Sequence, residues 1–482
     1  MRVVITAVLG AALAACSVGP DYEQPDIAMP ERWLIDTSEA QQLVNTQWWS
    51  QFQDPVLDAL VNQALLNNRD VRIAAARIEQ FAAQLNITRA DYYPQVGYGA
   101  RVDRQGVQDQ AVVPGFNDSI TDTYQATLNA SWELDIWGRV RRASEAARAE
   151  LWGAEEVRRT ALLSLVSSVA TSYVGLRRLD RQLEIAIDTR DARAEALKLF
   201  ELQFLGGVIG DLELAQVRSQ YEQAAAVVPG IERQIAQLEN ALSVLLGSPP
   251  GPIARGRSID KLTLAQIPAG IPSQLLERRP DLRAAEQQLI AANARIGVAK
   301  AAYFPSISLT GLAGFASGDL ASWFNQESRV WGTGGDLFGS IFAGGRIKGS
   351  VVQATAVRKE ALFNYQQAIL DALREVEDAL IQVQKASEQL VIEQRQVDAL
   401  INYSRLAKLR YDNGYTSYIE VLDAQRSLFN AQLNYVNTQN DVFIGLINSY
   451  KAMGGGWVDL AQREADKVDF PETDSQPVGD EN

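Results

Sequence analysis

The stretch YQATLNASWELDIWGRVRR, residues 124–142, changes period partway along, and that change decides the fold. From Tyr124 every second residue is apolar (Ala126, Leu128, Ala130, Trp132, Leu134, Ile136), while Gln125, Thr127, Asn129, Ser131, Glu133 and Asp135 between them are polar. Period two puts the two sets on opposite faces of a β-strand. Beyond Gly138 and Arg139 the alternation stops. From about Ala143 to Leu205 there is no proline, and Ala, Leu, Glu, Gln and Arg dominate, which is the composition of one very long helix. Leu162, Val169, Leu176 and Leu183 fall seven residues apart, a spacing that demands a neighbouring helix and a left-handed supercoil.

An alternating strand suits a half-buried place in a soluble sandwich as well as a lipid-facing place in a membrane barrel, whose strands run about 9 to 11 residues. The N-terminus separates the two. Arg2 precedes an apolar run, Val3 to Ala15, too short to span a bilayer but laid out as a secretory signal. The run ends in Leu13-Ala14-Ala15-Cys16, a bacterial lipobox. Cleavage there would leave Cys16 a thiol for diacylglyceryl attachment and an amine for a further acyl chain. A simple signal peptide ending near a buried cysteine is the plainer alternative, but charge, apolar run and small-residue site coincide. Ser17, rather than aspartate, after the cysteine favours the outer membrane. No other apolar run reaches 18 residues, and a protein without membrane helices crosses lipid only as a closed barrel. The strand is therefore expected to face lipid.

The same design occurs twice. DVRIAAARIEQFAAQLNITRADYYP (70–94) lies over DLRAAEQQLIAANARIGVAKAAYFP (281–305), matching Asp70 with Asp281, Tyr92 with Tyr303 and Pro94 with Pro305. Further on, Gly138-Arg139 lies over Gly345-Arg346, Gly207 over Gly414 and Glu213 over Glu420. Leu362, Ile369, Val376, Val383, Leu390 and Val397 repeat the seven-residue spacing in a second long helix, about Gly349 to Tyr411. Each such helix would be roughly 90 to 100 Å long at 1.5 Å per residue. Further strands are expected near Gln95–Val102, at Ser306–Phe315 and at about Gly335–Phe342, where Gly335 and Gly339 blur the pattern, with outward connections at about 103–121 and 316–330. Four strands cannot close a membrane barrel, since the smallest single-chain barrels have about eight, so oligomerisation is implied. The chain divides into a lipoprotein signal peptide (1–15), a lipid-anchored segment (16–53), a first repeat (54–247), a Pro/Gly-rich linker (248–271), a second repeat (272–454) and an acidic tail (455–482).

Composition removes whole classes of chemistry. With 45 Lys and Arg against 59 Asp and Glu, the net charge of −14 argues against nucleic acid, whose phosphates need a basic face. There is no histidine, and Cys16 is the only cysteine, so neither a Ser/His or Cys/His nucleophile nor a thiolate metal cluster can form within the chain. No catalytic residue, metal site or cofactor is expected beyond covalent lipid on Cys16. In RYDNGYTSYIEVLDAQRS (410–427) Glu420 and Asp423 stand three apart on one helix face. Glycosidase chemistry needs two carboxylates flanking a cleft, which a heptad-patterned helix does not offer. Ser417-x-x-Glu420 also reads as a capping box, which would give Glu420 a purely local role.

The lipobox followed by SVGPDYEQP (17–25), the YYP and YFP marks, WELDIWGRVRR, IFAGGRIKGS and NGYTSYIEVLDAQRSL resemble, in their order and spacing, the outer-membrane factors. These are the TolC-like channels of tripartite efflux pumps, here the lipoprotein branch serving RND (resistance-nodulation-division) transporters. The resemblance implies an α+β membrane protein: a homotrimer with a 12-stranded outer-membrane β-barrel, four strands per chain, a long periplasmic α-helical barrel and a mixed equatorial belt. It implies passive conduction of drugs or other small toxic compounds, with a periplasmic adaptor, an inner-membrane RND transporter and outer-membrane lipid as partners. The same fold would serve a type I protein secretion channel, and a pore-free coiled-coil lipoprotein would explain the helices but not the strands. Carried over by motif, the periplasmic gate falls on Glu420, Asp423, Tyr411 and Glu213, with hinge turns at Gly207 and Gly414. Where some relatives carry arginine two residues after the second glycine, this chain has Thr416, so the closing contacts must differ.

Overall fold

The computed structural model describes residues 17–27, 29–30, 32–33, 47–107, 119–264, 272 and 275–455. The signal peptide, Cys16, residues 34–46 and 265–271 and the tail beyond 455 lie outside the described residues. The first repeat runs α1 (Pro55–Asn67), α2 (Arg69–Ala90), β1 (Gln95–Val107), β2 (Ser119–Glu133), α3 (Arg139–Leu205) and α4 (Asp211–Leu245). The second runs through a single turn, α5 (Leu275–Arg278), then α6 (Pro280–Ala301), β3 (Ser306–Ser317), β4 (Arg329–Phe338), α7 (Arg346–Asp412) and α8 (Tyr418–Ala452). Helices α2 and α6 both have 22 residues, α3 and α7 both 67, and α4 and α8 both 35. Two compact units emerge, each drawing on both repeats: one holds 76–155 and 284–366 with the N-terminal segment, the other 27–75, 156–283 and the chain from 367 onward.

In the first unit the strands form one antiparallel sheet, ordered β1-β2-β3-β4. Register sorts the side chains by face. Tyr98 opposes Leu128, Leu128 opposes Ala313 and Ala313 opposes Trp331, so one row crosses all four strands. Three residues along, Arg101, Gln125 and Ala316 mark the other face, with Thr310, Asn129 and Asp336 further down it. The apolar face is bare: Tyr98 is 90% and Trp331 80% exposed. A soluble sandwich would bury that face, because contiguous exposed apolar area of this kind marks an interaction surface.

Element limits differ from expectation where side chains are captured by neighbours. Strand β2 stops at Glu133 rather than Ile136, because the Asp135 carboxylate accepts the Val140 and Arg141 N–H groups, each at 2.9 Å, and so opens α3. Glu133 holds Arg139 through two bonds of 2.9 Å. The fourth strand runs Arg329–Phe338, not Gly335–Phe342: three glycines, Gly332, Gly334 and Gly335, lie inside it and hide the alternation of Trp331, Thr333 and Leu337. Strands β1 and β3 also extend beyond the expected limits, to Val107 and Ser317.

The segment after the lipobox is bound into this unit. Val18 N–H donates to the Trp137 carbonyl at 3.1 Å, Asn293 donates to the Pro20 carbonyl at 2.9 Å, Arg142 meets Asp21 at 2.6 Å, and the Tyr22 hydroxyl donates to Glu286 at 2.9 Å. Ala146, Ala149, Ala291 and Ala294 let α3 and α6 lie close together.

The second unit has a continuous apolar core. Most of its seven-residue ladder is buried, Leu162, Val169 and Leu176 on α3 and Ile369, Val376, Val383 and Val397 on α7, while Leu183 and Leu390 are half-buried against the same core. Trp48 stacks on Tyr450 at 5.2 Å, and Phe52 meets Phe443 edge-on at 5.5 Å. Asp54 starts α1 by accepting the Val56 N–H at 2.9 Å, and it also accepts the Arg257 N–H and the Tyr173 hydroxyl at 2.9 and 2.7 Å. The linker is thereby fixed at Gly256, where any Cβ would run into the Asp54 carboxylate.

Candidate functional site

The two glycine turns of the second unit share one backbone geometry. Helix α3 ends as Gly207 N–H donates to the Phe204 carbonyl at 3.0 Å and Val208 N–H to the Gln203 carbonyl at 2.9 Å. Helix α7 ends in the same way, with Gly414 donating to Tyr411 and Tyr415 to Arg410, both at 2.9 Å. This is the Schellman arrangement, which needs a left-handed residue. Gly207 and Gly414 supply it at φ of 69° and 75°. A Cβ at either would meet nothing within 4 Å, so backbone angle and not space requires glycine there.

The side chains around the turns are not alike. Beside the second turn Arg410 reaches across to Glu420 at 3.1 Å, and the Thr416 hydroxyl donates to the other oxygen of the same carboxylate. The capping-box reading of Ser417 therefore fails: Ser417 makes no side-chain cap, and the Glu420 carboxylate is spent on Arg410 and Thr416. Asp423, one turn further in, pairs with Arg426 at 2.6 Å. The two carboxylates serve different cations and do not act as a pair.

Tyr411 packs within an aromatic cluster. It meets Tyr418 edge-on at 4.9 Å, and Phe200 lies 4.4 Å from Tyr418 and 6.5 Å from Tyr411. Burial pushes the Tyr418 phenol above its ordinary pKa, as does the neighbouring Tyr411. Arg193, buried alongside, donates to the Gln220 carbonyl at 2.7 Å and lies 6.0 Å from the centre of the Phe429 ring. Desolvation lowers its pKa.

The first turn carries no such latch. Gln203 and Ile209 stand where the second has Arg410 and Thr416, and Glu213 lies over Gly210, within 2.9 Å of where a Cβ would be. Between α4 and α8 runs a groove of about 500 Å³ whose walls are equivalent positions of the two repeats. Leu212 faces Ile419's wall, and Gln216 and Ser219 answer Asp423 and Arg426. Asp423 thus lines this groove, whereas Tyr411 is held in the aromatic cluster and Glu213 remains at its own turn. Sequence reasoning did not single out Arg410, Arg426, Phe200 or Tyr418. The signal was there: each breaks the likeness between repeats, Phe200 standing where the second has Ala407 and Tyr418 where the first has Asp211.

Comparison with known proteins gives this arrangement a family. The toluene efflux pump outer membrane protein TtgI of Pseudomonas putida is 37% identical over 455 residues, covering 92% of this chain and 96% of that one. The probable outer membrane lipoprotein SilC of Salmonella typhimurium is 36% identical over 453 residues, covering 93% and 97%. The solved outer-membrane channel OprN superposes with a TM-score of 0.84 at 31% identity, covering 92% of this chain and all of that one. The family model for outer membrane efflux proteins matches residues 60–248 and again 271–455, one match over each repeat. With its four-stranded sheet and paired long helices, its place is the outer membrane and its work is efflux: the chain belongs to the outer membrane efflux protein family.

Proposed function

We propose that three copies of this chain close a 12-stranded barrel and form the outer-membrane channel of a tripartite RND efflux system. It passively conducts drugs or other small toxic compounds from a periplasmic adaptor and an inner-membrane transporter to the outside. The observation that carries this reading is the sheet: four strands with one bare apolar face and no strand partner at either outer edge among the described residues. Open edges invite further strands, and lipid is the solvent in which an apolar face can remain uncovered. The protein-export alternative is not carried forward, since TtgI and the matching family are both described as efflux proteins. We assign the chain no catalytic step; energy comes from its partner.

In this proposal Gly207 and Gly414 are the hinges of the periplasmic end, Tyr411 belongs to the restraint on the second hairpin, and Glu213, Glu420 and Asp423 supply its acidic rings. Cys16 carries the covalent lipid. In each chain the three carboxylates outnumber Arg410 and Arg426, and a mouth of net negative charge concentrates counter-ions, so the pore should prefer cations. The experiment is a planar-bilayer recording of the purified heat-resistant trimer. Asp423→Ala is expected to lower cation selectivity, read from the reversal potential in a salt gradient, and to relieve block by divalent cations. Unchanged values for both would remove Asp423 from the ring.

A further inference from the structure

We propose that the apolar face of the sheet carries a seat for one acyl chain of a phosphate-bearing glycolipid of the outer leaflet, with Arg329 as the partner of its phosphate. The inference rests on the membrane reading above, because it requires that face to meet lipid.

The seat is built from small residues between large ones. Ala100 opposes Ala126, and Ala313 opposes Leu128 in the adjoining row, so three methyl side chains floor a groove of about 610 Å³. Tyr98, Leu128 and Trp331 raise one wall. Phe315 raises the other, with Phe324 against it at 5.5 Å. Strands β2 and β3 approach closely here, since a Cβ on Gly314 would run into the Ala126 carbonyl.

Topology fixes which leaflet the groove meets. Helices α2, α3, α6 and α7 all join the strands at one end of the sheet, whereas β1 and β3 end, and β2 and β4 begin, at the other. In barrels of this kind the longer connections face outward. Arg329, the first residue of β4, therefore stands at the outer end. An aromatic group marks the same level: Tyr124 lies 5.7 Å from Trp323, which stacks on Phe324 at 4.9 Å. Aromatic side chains of this kind collect at headgroup depth. The exposed Arg329 side chain has no hydrogen-bond or ion-pair partner among the described residues.

Lipid tails are as apolar as the groove, so apolarity alone selects no lipid. The guanidinium does, because it matches a phosphate through two parallel charge-assisted bonds. A phosphate lipid in the outer leaflet satisfies both the groove and the charge.

The test uses the purified full-length trimer and two variants, Arg329→Gln and Ala313→Leu, each exposed to equal amounts of bisphosphorylated lipid A, phosphatidylglycerol and phosphatidylethanolamine. Retained lipid is read by native mass spectrometry. The wild type is expected to retain lipid A preferentially. Arg329→Gln should weaken retention about tenfold, the order expected on losing a hydrogen bond to a charged group, and Ala313→Leu should reduce it with the arginine in place. Equal retention by all three proteins, or preference for phosphatidylglycerol or phosphatidylethanolamine, overturns the seat. Conductance of the same preparations keeps the two ideas apart. Conducting trimers with uniform lipid retention sink only the lipid seat, whereas a wild type that forms no conducting trimer sinks the channel reading.

Discussion

Glu420 occupies the third position of α8, where a carboxylate gains from the helix dipole whichever partner it takes. It takes Arg410 and Thr416 from the opposite side of the turn, so one side chain ties the end of α7 to the start of α8. Arg410 is exposed and Glu420 half-buried, so solvent screening limits the pair's worth to about 1 kcal/mol and the expected effect of Arg410→Ala to a rise in open probability of up to about fivefold. Single-channel recording measures it, and a fall would show that Arg410 does not restrain the hairpin. Gly414 is a costlier position to disturb. Gly414→Ala forces a side chain into the left-handed region at about 1–2 kcal/mol, to be read as a lower midpoint of thermal unfolding, with Gly207→Ala similar. The glycines and Glu420 were legible in the sequence because backbone angle and repeat position mark them. The partner of Glu420 was not, since Arg410 lies ten residues away across a turn and nothing local distinguishes it from a solvated arginine on a helix.

At the scale of elements, periodicity carried the long helices and the alternating face of β2, because both are repeated many times and tolerate local exceptions. It failed in β4, where glycines erase the side chains that would show alternation, and at the end of β2, where Asp135 left the strand to cap α3. The linker was legible only as a break in pattern. Its function as a brace depends on side chains distant in sequence: Arg255 pairs with Asp180 at 3.2 Å and also with Glu239. Burial would raise the Glu239 carboxyl, but the Arg255 guanidinium and the Ile253 N–H outweigh it and hold the group below the usual glutamate range. A depressed folded pKa contributes stability above the unfolded value, about 4.3, and that contribution is lost as pH falls through the folded one. The thermal midpoint of the wild type should therefore drop as pH falls below about 4, and Glu239→Gln should flatten that part of the profile. Parallel profiles for the two proteins would remove Glu239 from the brace.

At the scale of the whole molecule, the N-terminal segment has two separable parts. Ser17 to Tyr22 is bound through Trp137, Asn293, Arg142 and Glu286, independently of any lipid. Cys16→Ser is therefore expected to abolish labelling by a fatty-acid analogue while heat-resistant trimers still form, though fewer of them reach the membrane. Loss of trimers on gels would mean that the lipid is needed for assembly itself. Closure by further copies was legible from the strand count alone, whereas the free outer edges became visible only with the register. The unequal turns have a further consequence. The two repeats contain turns of the same backbone, yet only the second carries a polar latch, with Gln203 and Ile209 in the matching places of the first. Installing Gln203→Arg together with Ile209→Thr would rebuild the missing contacts around Glu213, and a protein engineer could then set, turn by turn, how many fastenings a single pore carries.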